Sequence, residues 1–265
     1  MDFVFSILAG IIQGVTEWLP ISSSGQSMIA LIDLIGLEPE KAFSFAIYLH
    51  LGTLLAVLVK MRMEVKEIIL KLPQFKEDKL VQFIVISTIL TALIGVPVYW
   101  FLKENFKAWQ GDVVTALIGF FLILTGLVLY LSREMMGKKV VSELNFLDMA
   151  IAGIAQGFTI LPGISRSGVT IAVLLFRNFR QDDALRLSFL MSIPAIIGAV
   201  SLEILQEGVQ DFDFTAIILG VSAAFVFGYL TIDILLRFAR RARFDLFCIA
   251  FGLVAILFYL IIPAL

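Results

Sequence analysis

The sequence predicts an all-α polytopic membrane protein, with six transmembrane helices plus two re-entrant helical hairpins in an inverted-topology repeat. Three observations predict it. The 265 residues are 60% hydrophobic and only 16% charged, against roughly 25% charged in soluble domains, and mean hydropathy is +1.00. Six apolar runs are long enough to cross a bilayer. Two further apolar regions are broken at their centres and resemble each other.

Composition also excludes. A net charge of −2 gives no field that would draw nucleic acid. The single cysteine, Cys248, rules out an internal disulfide and a thiolate metal cluster. Within "FDLFCIAFGLV" it reads as a small apolar filler. The first twenty residues are apolar but carry no basic stretch and no A-x-A-like cleavage site, so they read as part of the mature protein.

The six runs are 42–59, 80–102, 112–132, 186–205, 214–236 and 245–264. Each approaches the ~20 residues that a spanning helix needs. The regions 1–30 and 146–176 are interrupted by "LPISSSG" and "LPGISRSG", where Pro and Gly break helices. Their halves are short for full spans, so hairpins that enter and leave on the same side fit better.

Aligned without gaps, "AGIIQGVTEWLPISSSGQS" from Ala9 and "AGIAQGFTILPGISRSGVT" from Ala152 agree at 10 of 19 positions. Ser44-Phe45 then matches Ser188-Phe189 after a one-residue slip. The chain reads as one membrane domain, 1–265, with repeat 1 at about 1–143 and repeat 2 at about 144–265. Each copy is a broken hairpin followed by three spans, and an odd number of spans forces the copies into opposite orientations. Loop charge agrees. Sixteen Lys/Arg fall in loops 60–79, 133–145, 177–186 and 237–243, whereas the opposite side has Lys41, Lys103 and Lys107. The positive-inside rule puts the sixteen in the cytoplasm and both termini outside. The basic loops read as solvated topology signals. Inverted repeats with broken helices are one way to build a site near the membrane midplane.

The twentieth cation is Arg166, inside the second broken region. A charge at the bilayer centre is costly, and intramembrane charges are functional by default, so Arg166 needs a polar cavity or a partner. Ser165, Ser167, Gly168 and Thr170 surround it. After the Pro162-Gly163 break, Ser165 or Ser167 is a good N-cap. A helix start exposes N–H groups and a positive dipole end that attract anions. Gly163 and Gly168 let the anion approach the backbone, and Arg supplies a planar fork for phosphate oxygens. Ser22, Ser23, Ser24 and Gly25 repeat the arrangement without the guanidinium, and Arg166 aligns with Ser23. Glu17 aligns with Ile160, so the acid is unique to the first copy. Gln13 and Gln156 occur in both, and Gln13 shares a helical face with Glu17.

If the two loops face each other, carboxylate and guanidinium meet in one pocket that suits phosphate chemistry. Arg166 and backbone N–H groups would hold the anion. Glu17 would act as general acid or base, or bind a divalent metal. A serine would be nucleophile or ligand. The bland readings are a structural Glu17–Arg166 pair and G-x-x-x-G pairs (Gly10/Gly14 and Gly153/Gly157) that only bring helices close. For those glycines, packing is the main role. The only histidine, His50, lies in a span near the entrance of the first hairpin, as core residue or catalyst. Asp233 is expected to pair with Arg237, one turn on. Asp33, Glu38 and Glu40 read as solvated outer-loop acids.

"QGVTEWLPISSSG", "LHLGTLLAVLV" and "LPGISRSGVTI" together resemble the undecaprenyl-diphosphatase, or bacitracin-resistance protein, family over nearly the whole chain. The resemblance implies a multi-pass cell-membrane enzyme that hydrolyses undecaprenyl diphosphate to the monophosphate plus phosphate, recycling a lipid carrier for cell-envelope glycans. It also implies inverted repeats, a divalent cation (Mg²⁺ or Ca²⁺) and a site facing the outer side. The partners it implies are a polyprenyl diphosphate and the bilayer, with a homo-oligomer left open because every lipid-facing surface is apolar. The family's E/Q-x-x-x-E motif matches Gln13 and Glu17, its serine pair Ser22 and Ser23, and its P-G-x-S-R-S motif Pro162 to Ser167. Arg166 is then the phosphate-binding arginine, and Thr170 also matches. Two positions depart: Gln26 stands where the family usually has His, and Ala46 where many members have an acid. Gln is no proton-transfer base near pH 7. Glu17 takes that role here, as acid–base group or metal ligand, with His50 as the second candidate. A carrier that moves polyprenyl phosphate across the bilayer is the alternative reading.

Overall fold

The computed structural model describes residues 3–206, 212–239 and 243–261. Among them the order is α1 (Phe3–Thr16), α2 (Ser23–Ile29), α3 (Pro39–Lys60), α4 (Arg62–Lys71), α5 (Lys79–Phe106), α6 (Gly111–Ser132), α7 (Phe146–Phe158), α8 (Arg166–Phe176), α9 (Gln181–Gln206), α10 (Phe214–Ala239) and α11 (Phe244–Ile261). No strand joins them among the described residues; one isolated bridge links Lys139 and Phe179.

All six expected spans are helices: α3, α5, α6, α9, α10 and α11. Five are long and apolar enough to cross a membrane, and α11 adds 18 apolar residues, about 27 Å at 1.5 Å per residue. The helices overrun the apolar stretches where polar ends keep good helix geometry. Asp78 caps α5 by accepting from the Leu80 and Val81 N–H groups, and Pro39 opens α3 at a position where its missing N–H costs nothing. Pro97 and Pro194 lie inside α5 and α9.

The two broken regions fold as expected. α1 has 14 residues and α7 has 13, roughly 20 Å each, which is too short for a ~30 Å hydrocarbon core. Each returns through α2 or α8, which packs back on it. α2 ends in a π-helical turn, Ala30–Leu34.

Helix pairings occur in exchanged versions. α1 packs on α10, and its counterpart α7 packs on α5. The G-x-x-x-G glycines make both contacts. A Cβ on Gly10 would lie 2.9 Å from the Ala223 Cβ, and one on Gly14 2.7 Å from the Ala224 carbonyl oxygen. A Cβ on Gly153 would lie 2.6 Å from the Ser87 carbonyl oxygen, and one on Gly157 2.6 Å from the Ile94 Cβ. α6 and α11 cross on each other: a Cβ on Gly119 would meet the Gly252 carbonyl oxygen, and one on Gly252 the Gly119 carbonyl oxygen. This is the pattern produced when a rotation swaps the halves.

Several charges differ from expectation. Asp233 pairs with Lys60 of α3, which α10 brings alongside, while Arg237 falls outside the described side chains. Lys139 and Arg177 are not simply solvated topology signals. Both bind Asp148, which is fully buried and also accepts from the Asn145 N–H, fixing the start of α7. Asp33 is exposed but accepts from Thr115 at 3.1 Å. Glu38 pairs with Lys41, and Glu40 with Lys107.

Lys103 departs most. It is 5% exposed, and its Nζ lies 2.8 Å from Glu203 Oε1 and 2.6 Å from Ser44 Oγ, to which it donates. Tyr99 OH donates to Glu203 Oε2 at 2.7 Å. This buried cluster ties α3, α5 and α9 together, near the start of α3 and the ends of α5 and α9. Breaking one half of a buried pair strands the other charge. Lys103→Met is expected to cost about 3–5 kcal/mol, and Lys103→Met combined with Glu203→Leu less than the single change, as read by thermal unfolding in detergent.

Candidate active site

Each hairpin tip is built by backbone conformations that its sequence selects. In the first, α1 ends at Thr16 and the chain reverses through Glu17 to Ser22. Ser22 holds φ 58 and caps α2 by accepting from the Gly25 N–H, a left-handed conformation that costs a non-glycine residue free energy. The Trp18 indole N–H donates to the Gly228 carbonyl on α10 at 3.0 Å, which seats the tip. In the second, Gly163 holds φ +99. A Cβ there would lie 2.8 Å from the Phe121 Cβ, so both conformation and space require glycine. Ser165 then caps α8, accepting from the Gly168 N–H at 3.2 Å. Thr125 on α6 holds this turn from below, donating to the Gly163 carbonyl and accepting from the Ser165 N–H.

The tips touch. The Gly163 N–H donates to Ser22 Oγ at 3.0 Å. A Cβ on Gly25 would be 3.0 Å from the Gly163 nitrogen, and one on Gly168 3.2 Å from the Pro20 Cβ. Pro20 and Gly163 are equivalent in the repeat, so each glycine packs on the opposite tip at the matching place.

Glu17 stands at the junction, 6% exposed. Its Oε1 forms a salt bridge with the Arg166 guanidinium. Its Oε2 accepts from Ser23 Oγ at 2.5 Å and from Gln13 Nε2 at 2.9 Å, and lies 3.6 Å from His50 Nε2. The other His50 nitrogen, Nδ1, lies 2.7 Å from the Ala46 carbonyl oxygen. A carbonyl only accepts, so Nδ1 carries the proton and Nε2 keeps its lone pair toward Glu17 in the neutral ring. Arg166 Nη1 points to the Ser188 carbonyl at 3.5 Å, and Thr170 Oγ1 bonds both the Arg166 carbonyl and Ser188 Oγ at 2.7 Å.

The four residues read from the sequence as catalytic, Glu17, Ser23, Arg166 and His50, therefore form one cluster. Gln13, Ser22, Gly25, Gly163, Ser165, Gly168 and Thr170 shape it. Ser167 sits beside Ser165, 3.4 Å between hydroxyls. Ser24 lines, with Arg166 and His50, a cavity of about 390 Å³. Gln26 does not reach this cluster. Its amide donates to the Ile21 carbonyl, and it lines a second cavity of about 660 Å³ beside Asp33 and Asp112. Ser188 and Thr125 were missed as site residues. The Ser44-Phe45/Ser188-Phe189 match was a signal for the first. For Thr125, inside an apolar span, the sequence offers none.

For a divalent cation, the described residues contain no group of three His, Cys, Asp or Glu side chains. The cluster offers the Glu17 carboxylate and Gln13 Oε1, a buried oxygen without a hydrogen-bond partner. That is a partial set of hard oxygen donors, of the sort that phosphate oxygens complete.

The model of the bacitracin resistance protein BacA family matches residues 6–257. The chain belongs to this family. Among its relatives, an undecaprenyl-diphosphatase of Methanothrix thermoacetophila is 41% identical over 256 residues, covering 97% of this chain and 96% of the relative. One of Methanopyrus kandleri is 40% identical, covering 95% and 94%. One of Saccharolobus solfataricus is 35% identical, covering 97% and 96%. In each of these matches at least 94% of both chains is covered. Gly163→Ala, at the tip where the family motif and the geometry coincide, is expected to cost about 1–3 kcal/mol from conformation alone, seen as a lower unfolding midpoint in detergent.

Proposed function

We propose that this protein hydrolyses undecaprenyl diphosphate, or a closely similar polyprenyl diphosphate, to the monophosphate plus phosphate. The observation that carries the reading is the meeting of both hairpin tips at Glu17, Ser23, His50 and Arg166, in a chain whose full-length relatives are named for this activity.

In the substrate-free arrangement the guanidinium is held by Glu17. An incoming diphosphate competes for it, because the Arg fork matches phosphate oxygens as well as carboxylate. N–H groups in the first turn of α8 add donors at a positive dipole end. Ser23 Oγ, which donates to Glu17, is the nucleophile in this reading and attacks the distal phosphorus. The new O–P bond forms as the bond to the bridging oxygen breaks, and that electron pair leaves with the polyprenyl monophosphate. The serine proton passes to Glu17. Water then cleaves the serine phosphate, restoring the hydroxyl and releasing phosphate, with Glu17 and His50 Nε2 handling its protons. Arg166 offsets charge on the transferring group in both steps. A divalent cation, Mg²⁺ or Ca²⁺, would be held by Glu17 and Gln13 together with the substrate's own oxygens. It would supply further charge neutralisation there.

An outer-facing site is supported by two features. Loop charge puts the ends of α5 and α9 at Phe106 and Gln206 outside. The cavity at Arg166 runs along the middle of α5, from Thr88 to Tyr99, and along α9 from Ser192 to Leu205, close to its outer end.

Purified protein in detergent, given undecaprenyl diphosphate and Mg²⁺, is expected to release phosphate. Glu17→Ala, Ser23→Ala and Arg166→Ala should each lower the rate by at least about 10²–10³-fold; full activity in the Glu17 variant would overturn the mechanism. Arg166→Lys should not restore it, because a point charge cannot replace the fork. Gln26→His is expected to leave the rate nearly unchanged, because that side chain faces the other cavity.

A further inference from the structure

Gly198 is a glycine that the fold does not require. It lies inside α9, and it is not among the described residues with positive φ. A Cβ built on it meets nothing within 4 Å. The close-packed glycines of α1, α7, α6 and α11 all meet atoms at 3.0 Å or less. Glycine is the poorest helix former after proline, so its place here calls for another reason.

Gly198 borders the cavity that begins at Arg166 and His50. Away from that charged end, both helices contribute small residues to the walls, Ala92 and Gly95 of α5 and Ala195, Gly198 and Ala199 of α9, among larger apolar ones such as Tyr99, Ile196 and Leu202. The cleft opens sideways, because its rims, the lining residues Val96 of α5 and Leu205 of α9, are exposed. Gln156 lines the neck, 3% exposed, with Oε1 lacking a hydrogen-bond partner. The seam that corresponds by repeat, α3 against α10, is closed: a Cβ on Gly52 would lie 2.7 Å from the Ala224 Cβ. The second cavity is larger but has Asp33 and Asp112 in its wall, which repel a diphosphate.

We propose that the α5–α9 cleft is the lateral portal and seat for the first isoprene units of the substrate, and that Gly198 determines whether a long prenyl chain fits. This rests on the diphosphatase reading. The head lies at Arg166, the proximal chain runs outward along α9, and the distal chain leaves between the rims into the bilayer. Gly198 is ten residues beyond Ser188, whose carbonyl receives Arg166, about 15 Å along the helix. A bulky side chain there meets the tail and leaves the head untouched.

The test compares the unaltered protein, Gly198→Leu and Ile197→Phe, which adds bulk on the lipid-facing side of the same turn. Undecaprenyl diphosphate and isopentenyl diphosphate are used as substrates, and Kd is measured for undecaprenyl monophosphate. For Gly198→Leu, KM for the long substrate and Kd are expected to rise at least tenfold. Hydrolysis of isopentenyl diphosphate stays unchanged, which also shows that the variant is folded. Ile197→Phe behaves as the unaltered protein. Unchanged long-chain KM and Kd in Gly198→Leu, or equal losses on both substrates with an unshifted Tm, would overturn the proposal. If the unaltered protein cleaves neither substrate, the diphosphatase reading fails, and the Kd comparison alone decides the portal.

Discussion

A carboxylate and a guanidinium, drawn from opposite halves of the chain, neutralise each other between the hairpin tips. Neither Glu17 nor Arg166 could be left alone within an apolar slab, since a lone buried charge costs several kcal/mol. The rest of the structure follows from bringing them together. Both polypeptide segments must break near the middle of the membrane and turn back. Their exposed backbone groups must then be satisfied there, by Ser22, Ser165 and Thr125. The helices behind them must approach closely enough for two tips to share one small volume, which the glycine contacts of α1 with α10 and of α7 with α5 allow.

The halves are alike in framework and unlike in chemistry. Gln13 and Gln156 occupy equivalent positions, yet Gln13 donates to Glu17 and Gln156 to Thr91 and the Met191 carbonyl. Ser23 and Arg166 are equivalent, and both bond the same carboxylate. A pocket between symmetric tips thus has an acid with a hydroxyl on one wall and a cation on the other. That polarity gives a diphosphate a direction in which to lie. The same departure from symmetry appears further out, where one helix seam is closed and its counterpart is a cleft.

Much of this was legible in the sequence because its signals are local. Twenty-residue apolar runs, Pro-Gly breaks and a gap-free internal match each act over a few turns of chain, and they located every span, both hairpins and the four clustered residues. What was not legible depends on distant partners. Lys103 and Glu203 are 100 residues apart, and nothing near either announces the other. Lys139 and Arg177 look like ordinary basic loop residues until Asp148 is seen buried between them. Asp233 has a cation one turn away in sequence, but nothing near it announces Lys60, which packing of α10 on α3 brings to it. Gln26 drew attention as a departure from a family pattern, but the direction of a side chain at a helix start is set by tertiary packing.

Cys248, read from the sequence as filler, is indeed buried in α11, but its Sγ also lies 3.4 Å from the Pro20 carbonyl oxygen. The chain has no other thiol. Alkylation at that sulfur therefore needs the first tip to part from α11, so the labelling rate of the native protein is a clock for how often that tip lifts off, with no engineered reporter.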